Sequence, residues 1–69
     1  MKYVVVVQVR AVTNGDVCAS FNYDTDSIGA RELDSLQDRA RDAYMASPAA
    51  NPSHKPEWFY GAIQAIIPR

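Results

Sequence analysis

Residues 3–12 read YVVVVQVRAV. A run so rich in valine constrains this chain more than any other stretch. β-Branched side chains lose rotamer freedom on a helix and pack well on a pleated surface, so the run reads as a strand. Alternation places Tyr3, Val5, Val7, Val9 and Ala11 on one face, and Val4, Val6, Gln8, Arg10 and Val12 on the other. The following DVCASFNYDT continues as a second strand, with Val17, Ala19, Phe21 and Tyr23 opposed to Cys18, Ser20, Asn22 and Asp24. Between the two strands lies Asn14-Gly15, a strong hairpin signal. A two-residue turn there would set the apolar row of one strand against the polar row of the other. A three-residue loop, Thr13-Asn14-Gly15, pairs Ala11 with Val17, Val9 with Ala19, Val7 with Phe21 and Val5 with Tyr23. A slip of one residue turns a whole face over, so the hydrophobic match selects the longer loop, with Gly15 at a left-handed bulge position.

A helix follows. Asp26 or Ser27 serves as its N-cap, Leu33, Leu36, Ala40, Ala43, Tyr44 and Ser47 recur at helical spacing, and Pro48 ends it near Ser47. Pro48, Pro52 and Pro56 then mark an extended, semi-rigid connector over 48–56. The last segment, EWFYGAIQAIIP, reads as a third strand. Plain alternation puts Phe59, Ile63, Ala65 and Ile67 on one side and Trp58, Tyr60, Ala62, Gln64 and Ile66 on the other. With 69 residues the chain is read as a single domain, 1–69. The order strand, strand, helix, strand predicts an α+β fold: a three-stranded antiparallel ββαβ sheet, order 2-1-3, with one helix packed on one face.

One helix shields one side of such a sheet. The other side is expected to carry Val4, Val6, Gln8 and Arg10 from the first strand and Trp58, Tyr60, Gln64 and Ile66 from the last. Three consecutive rings, Trp58-Phe59-Tyr60, must turn at least one outward if the strand is regular. Exposed aromatic and aliphatic groups of this kind mark contact surfaces. Trp58, Tyr60, Ile66, Val4, Val6 and Arg10 are therefore the first set of candidate partner-binding residues. The second set is Asp34, Asp38 and Asp42, spaced four apart as an acidic ridge on the helix exterior. Such a ridge suits a basic partner, although Arg31, Arg39 and Arg41 offset its charge.

Other chemistries find little support. The pair of carboxylates in DTDS lacks the further oxygens and the placed glycine of a calcium loop, and helix capping accounts for it. Cys18 and His54 are too few for a zinc site. A Cys-His catalytic pair would require Cys18 to face His54, whereas the register turns Cys18 away from the helix. No phosphate loop and no Ser-His-Asp set is visible, so the chain reads as non-enzymatic and without cofactor. Single-stranded nucleic acid could stack on the sheet rings, but only Lys2, Arg10, Lys55 and Arg69 flank them and the net charge is −1, which makes this a weak third alternative. The N-terminal apolar run is broken by Gln8 and Arg10 and lacks a cleavage signal; with one Cys and no membrane-length segment, the expected location is the cytoplasm.

In layout the chain resembles small bacteriophage host-takeover proteins, namely the phage inhibitors of host RNA polymerase and the anti-CRISPR proteins. The resemblance rests on KYVVVVQV, on the acid-rich junction YDTDSIGARELDSL, and on the final strand WFYGAIQAIIPR. It implies a protein that binds and blocks a host nucleic-acid machine, and no functional residue carries over from it. The alternative is a homo-oligomeric structural or accessory protein that pairs through its open sheet face.

Overall fold

The computed structural model describes residues 2–48 and 53–69. Its elements are β1 (Tyr3–Ala11), β2 (Val17–Thr25), α1 (Ala30–Met45) and β3 (Phe59–Pro68), the last preceded by a 3-10 turn over Pro56–Trp58. The sheet has the order β2-β1-β3, with β1 antiparallel to both neighbours. The predicted ββαβ architecture is therefore present, with the valine-rich strand in the middle. Residues 49–52, within the proline-rich connector, lie outside the described residues.

The core forms where β1 faces α1. Val5, Val7 and Val9 are fully buried against Leu36, Ala40, Tyr44 and Phe59, and Leu33, Phe21, Tyr23 and Ile63 pack around them. Leu36, Ala40 and Tyr44 recur every fourth residue and line one helix face. Full burial of each valine contributes about 1.5–3 kcal/mol, a large share for a small domain.

Gly61 stands opposite Val9 on this same face. A Cβ there would lie 2.5 Å from the Gln37 carbonyl oxygen and 2.8 Å from its Cα. Helix backbone thus crosses β3 at a distance that leaves no room for a side chain.

Register holds in the sheet interior and departs from expectation at two places. Val9 pairs with Ala19, Val7 with Phe21 and Val5 with Tyr23, as the hydrophobic pattern requires. Near the turn, however, the loop has four residues rather than three. Ala11 N–H donates to the Asp16 carbonyl at 3.0 Å, Gly15 N–H donates to the Ala11 carbonyl at 2.9 Å, and Asn14 Oδ1 accepts from Asp16 N–H at 3.0 Å. Gly15 adopts φ 72°, the left-handed conformation that glycine accommodates without strain. The added loop residue is absorbed by a bulge at Cys18, since Arg10 pairs with Val17 while Val9 pairs with Ala19. Two side chains change place in consequence: Val17 sits opposite Arg10 and is half-exposed, and Cys18 turns to the helix side.

A second bulge lies in β3. Val7 pairs with Ile63 but Val6 pairs with Ala65, leaving Gln64 unpaired. Plain alternation fails beyond this point. Ile66 comes opposite Val5, so it belongs to the helix side rather than the open face, while Ala65 and Ile67 move to the open face opposite Val6 and Val4. The physical gain is volume: an isoleucine stands across from Val5 where Ala65 would otherwise be. The helix start also differs. Its N-cap is Gly29, with no side-chain cap, and Thr25 Oγ1 accepts from Ser27 N–H at 3.3 Å in a local turn that keeps 26–27 outside the helix.

Candidate partner-binding surfaces

The uncovered side of the sheet is built by three rows. β1 contributes Val4, Val6, Gln8 and Arg10; β3 contributes Tyr60, Ala62, Ala65 and Ile67; β2 contributes Val17, Ser20, Asn22 and Asp24. Its charged groups are tied to neighbours. Arg10 donates to Gln8 Oε1 from Nη2 at 2.9 Å and from Nε at 3.3 Å. At the opposite end, Arg69 Nη1 reaches over β1 to Asp24 Oδ1 at 3.0 Å, and its backbone N–H donates to the Lys2 carbonyl at 2.8 Å. What remains between the two polar ends is an apolar strip of Val4, Val6, Ala65 and Ile67, with Tyr60 beside Arg10. Tyr60 is 39% exposed and Ile67 49%.

Trp58 is not part of this strip. It closes the 3-10 turn before β3, where its N–H donates to the Lys55 carbonyl and its carbonyl accepts from Val12 N–H. Since Phe59 faces Ala11 and the core, the chain turns at Trp58 before regular alternation starts, and the indole lies beside His54 on the helix side. Of the predicted sheet-face set, Val4, Val6, Arg10 and Tyr60 come together, and Trp58 and Ile66 lie elsewhere.

The helix ridge is exposed, and it is not purely acidic. Arg41 stands between Asp38 and Asp42, 3.8 Å from a carboxylate oxygen of each. Pairs this open contribute at most about 1 kcal/mol, but they reduce the charge presented to a partner. Asp34 has no ion pair among the described residues.

A third feature escaped sequence reading. A half-open cavity of about 480 Å³ lies on the helix side at the hairpin end, lined by Ala11, Thr13, Asn14, Asp16, Cys18, Tyr44, His54, Trp58 and Phe59. Its rings touch one another: Tyr44 and Phe59 have centroids 5.1 Å apart, His54 and Phe59 5.4 Å, His54 and Trp58 5.8 Å. Burial, together with the adjacent hydrogen-bonded Cys18 side chain, pushes the Tyr44 phenol above its usual value of 10.0. Cys18 and His54 thus line one cavity, contrary to the expectation that the register keeps them apart. The bulge at Cys18 is the cause, and nothing in the local sequence signals it. Among the described residues no helix is long and apolar enough to cross a membrane, and no group of three metal-ligating side chains occurs.

No family model matches the chain, and no curated protein or solved structure matches it significantly.

Proposed function

We propose that the protein is a non-enzymatic binding module that docks on another protein through the open face of its sheet. The observation behind this reading is the apolar strip Val4, Val6, Ala65 and Ile67, left facing solvent between two internally satisfied polar ends, with Tyr60 as an aromatic anchor. Hydrogen bonds within the two ends leave fewer donors and acceptors unsatisfied on contact, and an apolar strip flanked by a large ring supplies contact energy. The resemblance in layout to phage host-takeover proteins suggests the form of action: occlusion of a host protein machine. The ridge Asp34, Asp38 and Asp42 is the less favoured contact, because Arg41 already faces two of its carboxylates.

The test compares Val6→Asp and Tyr60→Ser with the double reversal Asp34→Lys/Asp38→Lys in capture of the co-purifying partner by tagged protein. The sheet-face variants should weaken capture by at least about thirtyfold, with urea midpoints showing that they still fold. The ridge reversal should leave capture intact. The opposite pattern moves the contact to the helix.

Self-association is a second reading, favoured by the β2 edge. From Ala19 to Thr25 this edge runs regularly, without bulge, proline or lysine, whereas the β3 edge is interrupted by the Gln64 bulge and Pro68. Sedimentation velocity over a wide concentration range decides it. Monomer at every concentration removes homodimerisation.

A further inference from the structure

The cavity at the hairpin end has a chemical bias that the sheet-face reading does not use. Rings form part of its lining: the half-exposed Trp58 against His54, and on the core side the largely buried Tyr44 and Phe59 in tilted contact. Among the described residues that line it, Asp16 is the only carboxylate, exposed and without an ion pair, and there is neither lysine nor arginine. Aromatic rings attract cations over their faces, so an exposed indole beside one unpaired carboxylate favours a cation. An anion would meet no permanent positive charge among the described lining residues. A bare divalent metal would find one carboxylate where it needs several oxygens. A strongly hydrated inorganic cation gains nothing from apolar walls, while an alkylated ammonium brings both a positive charge and an apolar surround. The volume, about 480 Å³, lies within the range of small-molecule sites.

We infer that this cavity binds a small organic ammonium ion, with Trp58 against its alkyl groups, Tyr44 and Phe59 lining it from the core side, and Asp16 supplying the counter-charge. The chain has a single tryptophan, and it lines the site, so Trp58 emission reports occupancy directly.

The experiment titrates the full chain with choline and, separately, with 3,3-dimethylbutan-1-ol, the uncharged molecule of the same shape, at constant ionic strength. Choline should change Trp58 emission saturably, with half-effect at or below the order of tens of millimolar, and the neutral analogue should bind at least about tenfold more weakly. Asp16→Asn, which keeps the backbone hydrogen bonds of the turn, should weaken choline by several-fold. Trp58→Leu, read by calorimetry, should abolish measurable binding while the urea midpoint shows a folded protein. Equal binding of choline and the alcohol would overturn the inference and leave a plain apolar pocket. So would the absence of any saturable change, or choline affinity unchanged in folded Trp58→Leu.

Discussion

Gly61 and Gly15 are both required, for different physical reasons, and substitution by alanine separates them. At Gly61 the added methyl meets helix backbone, the Gln37 carbonyl oxygen at 2.5 Å, and backbone cannot swing aside as a flexible side chain would. Gly61→Ala should therefore lift α1 from the sheet and cost about 1–3 kcal/mol or more, read as a lower urea midpoint. At Gly15 there is nothing within 4 Å of the new methyl, and the cost is the left-handed φ of 72° alone. Gly15→Ala should cost about 1–2 kcal/mol and leave the core contacts unchanged. Tyr44 supplies a pH prediction. Its folded-state phenol titrates above the unfolded value because of burial and the neighbouring Cys18. Below pH about 10 both states keep the proton, so the stabilisation is fully present there. As pH rises past 10 the unfolded state loses its proton first, and stability falls through the folded value. Urea midpoints followed upward through that range should drop more steeply for the wild type than for Tyr44→Phe.

The two bulges show how elements reconcile local and global demands. In β2 the extra residue at Cys18 absorbs the difference between a four-residue loop and a register that the valine row dictates. In β3 the extra residue at Gln64 lets Ile63 and Ile66 both face the helix side. Side chains on either flank of Gln64 already alternate correctly with respect to each other, because Ile63 faces Val7 and Ala65 faces Val6. Deleting Gln64 should therefore keep every remaining β3 side chain on its present face. The expected result is a folded protein that loses no more than about 1–2 kcal/mol. Deleting Ala62 instead should turn Phe59 and Gly61 relative to the core and prevent cooperative unfolding. Denaturant curves of the two deletions provide the comparison.

At the scale of the whole molecule, one helix on a three-stranded sheet divides the surface into three regions of different character. The open face is apolar in its middle, the helix exterior carries Asp34 and the shared Arg41, and the hairpin end carries the ring-lined cavity. Docking through the open face, as proposed, would rest on apolar burial, which salt screens little, whereas docking through the ridge would rest on exposed charge. Partner affinity measured across a tenfold rise in ionic strength should change less than about threefold. A steep loss would instead implicate Asp34, Asp38 and Asp42.

Periodicity alone was enough to determine the element order, the strand order with the valine run at its centre, the helix face built on Leu36, Ala40 and Tyr44, and the pairing of Val5, Val7 and Val9 with β2. These are properties of side chains repeated along one segment, and burial of a whole row outweighs any single local preference. The positions of Trp58, Ile66, Val17 and Cys18 were decided only in three dimensions. For Ile66, Val17 and Cys18 the outcome depends on where one residue is dropped from a ladder, and that choice compares distant alternatives: Ile66 or Ala65 against Val5, a loop bond from Ala11 to Asp16 or one residue further on; for Trp58 it depends on the 3-10 turn that precedes β3. The helix start at Gly29, rather than Asp26 or Ser27, is set locally instead, by the Thr25–Ser27 turn. The candidate surface follows the same division: Val4, Val6, Arg10 and Tyr60 are legible as alternating positions on strands, while Cys18 joins His54 in the cavity only because a bulge turns its side chain over.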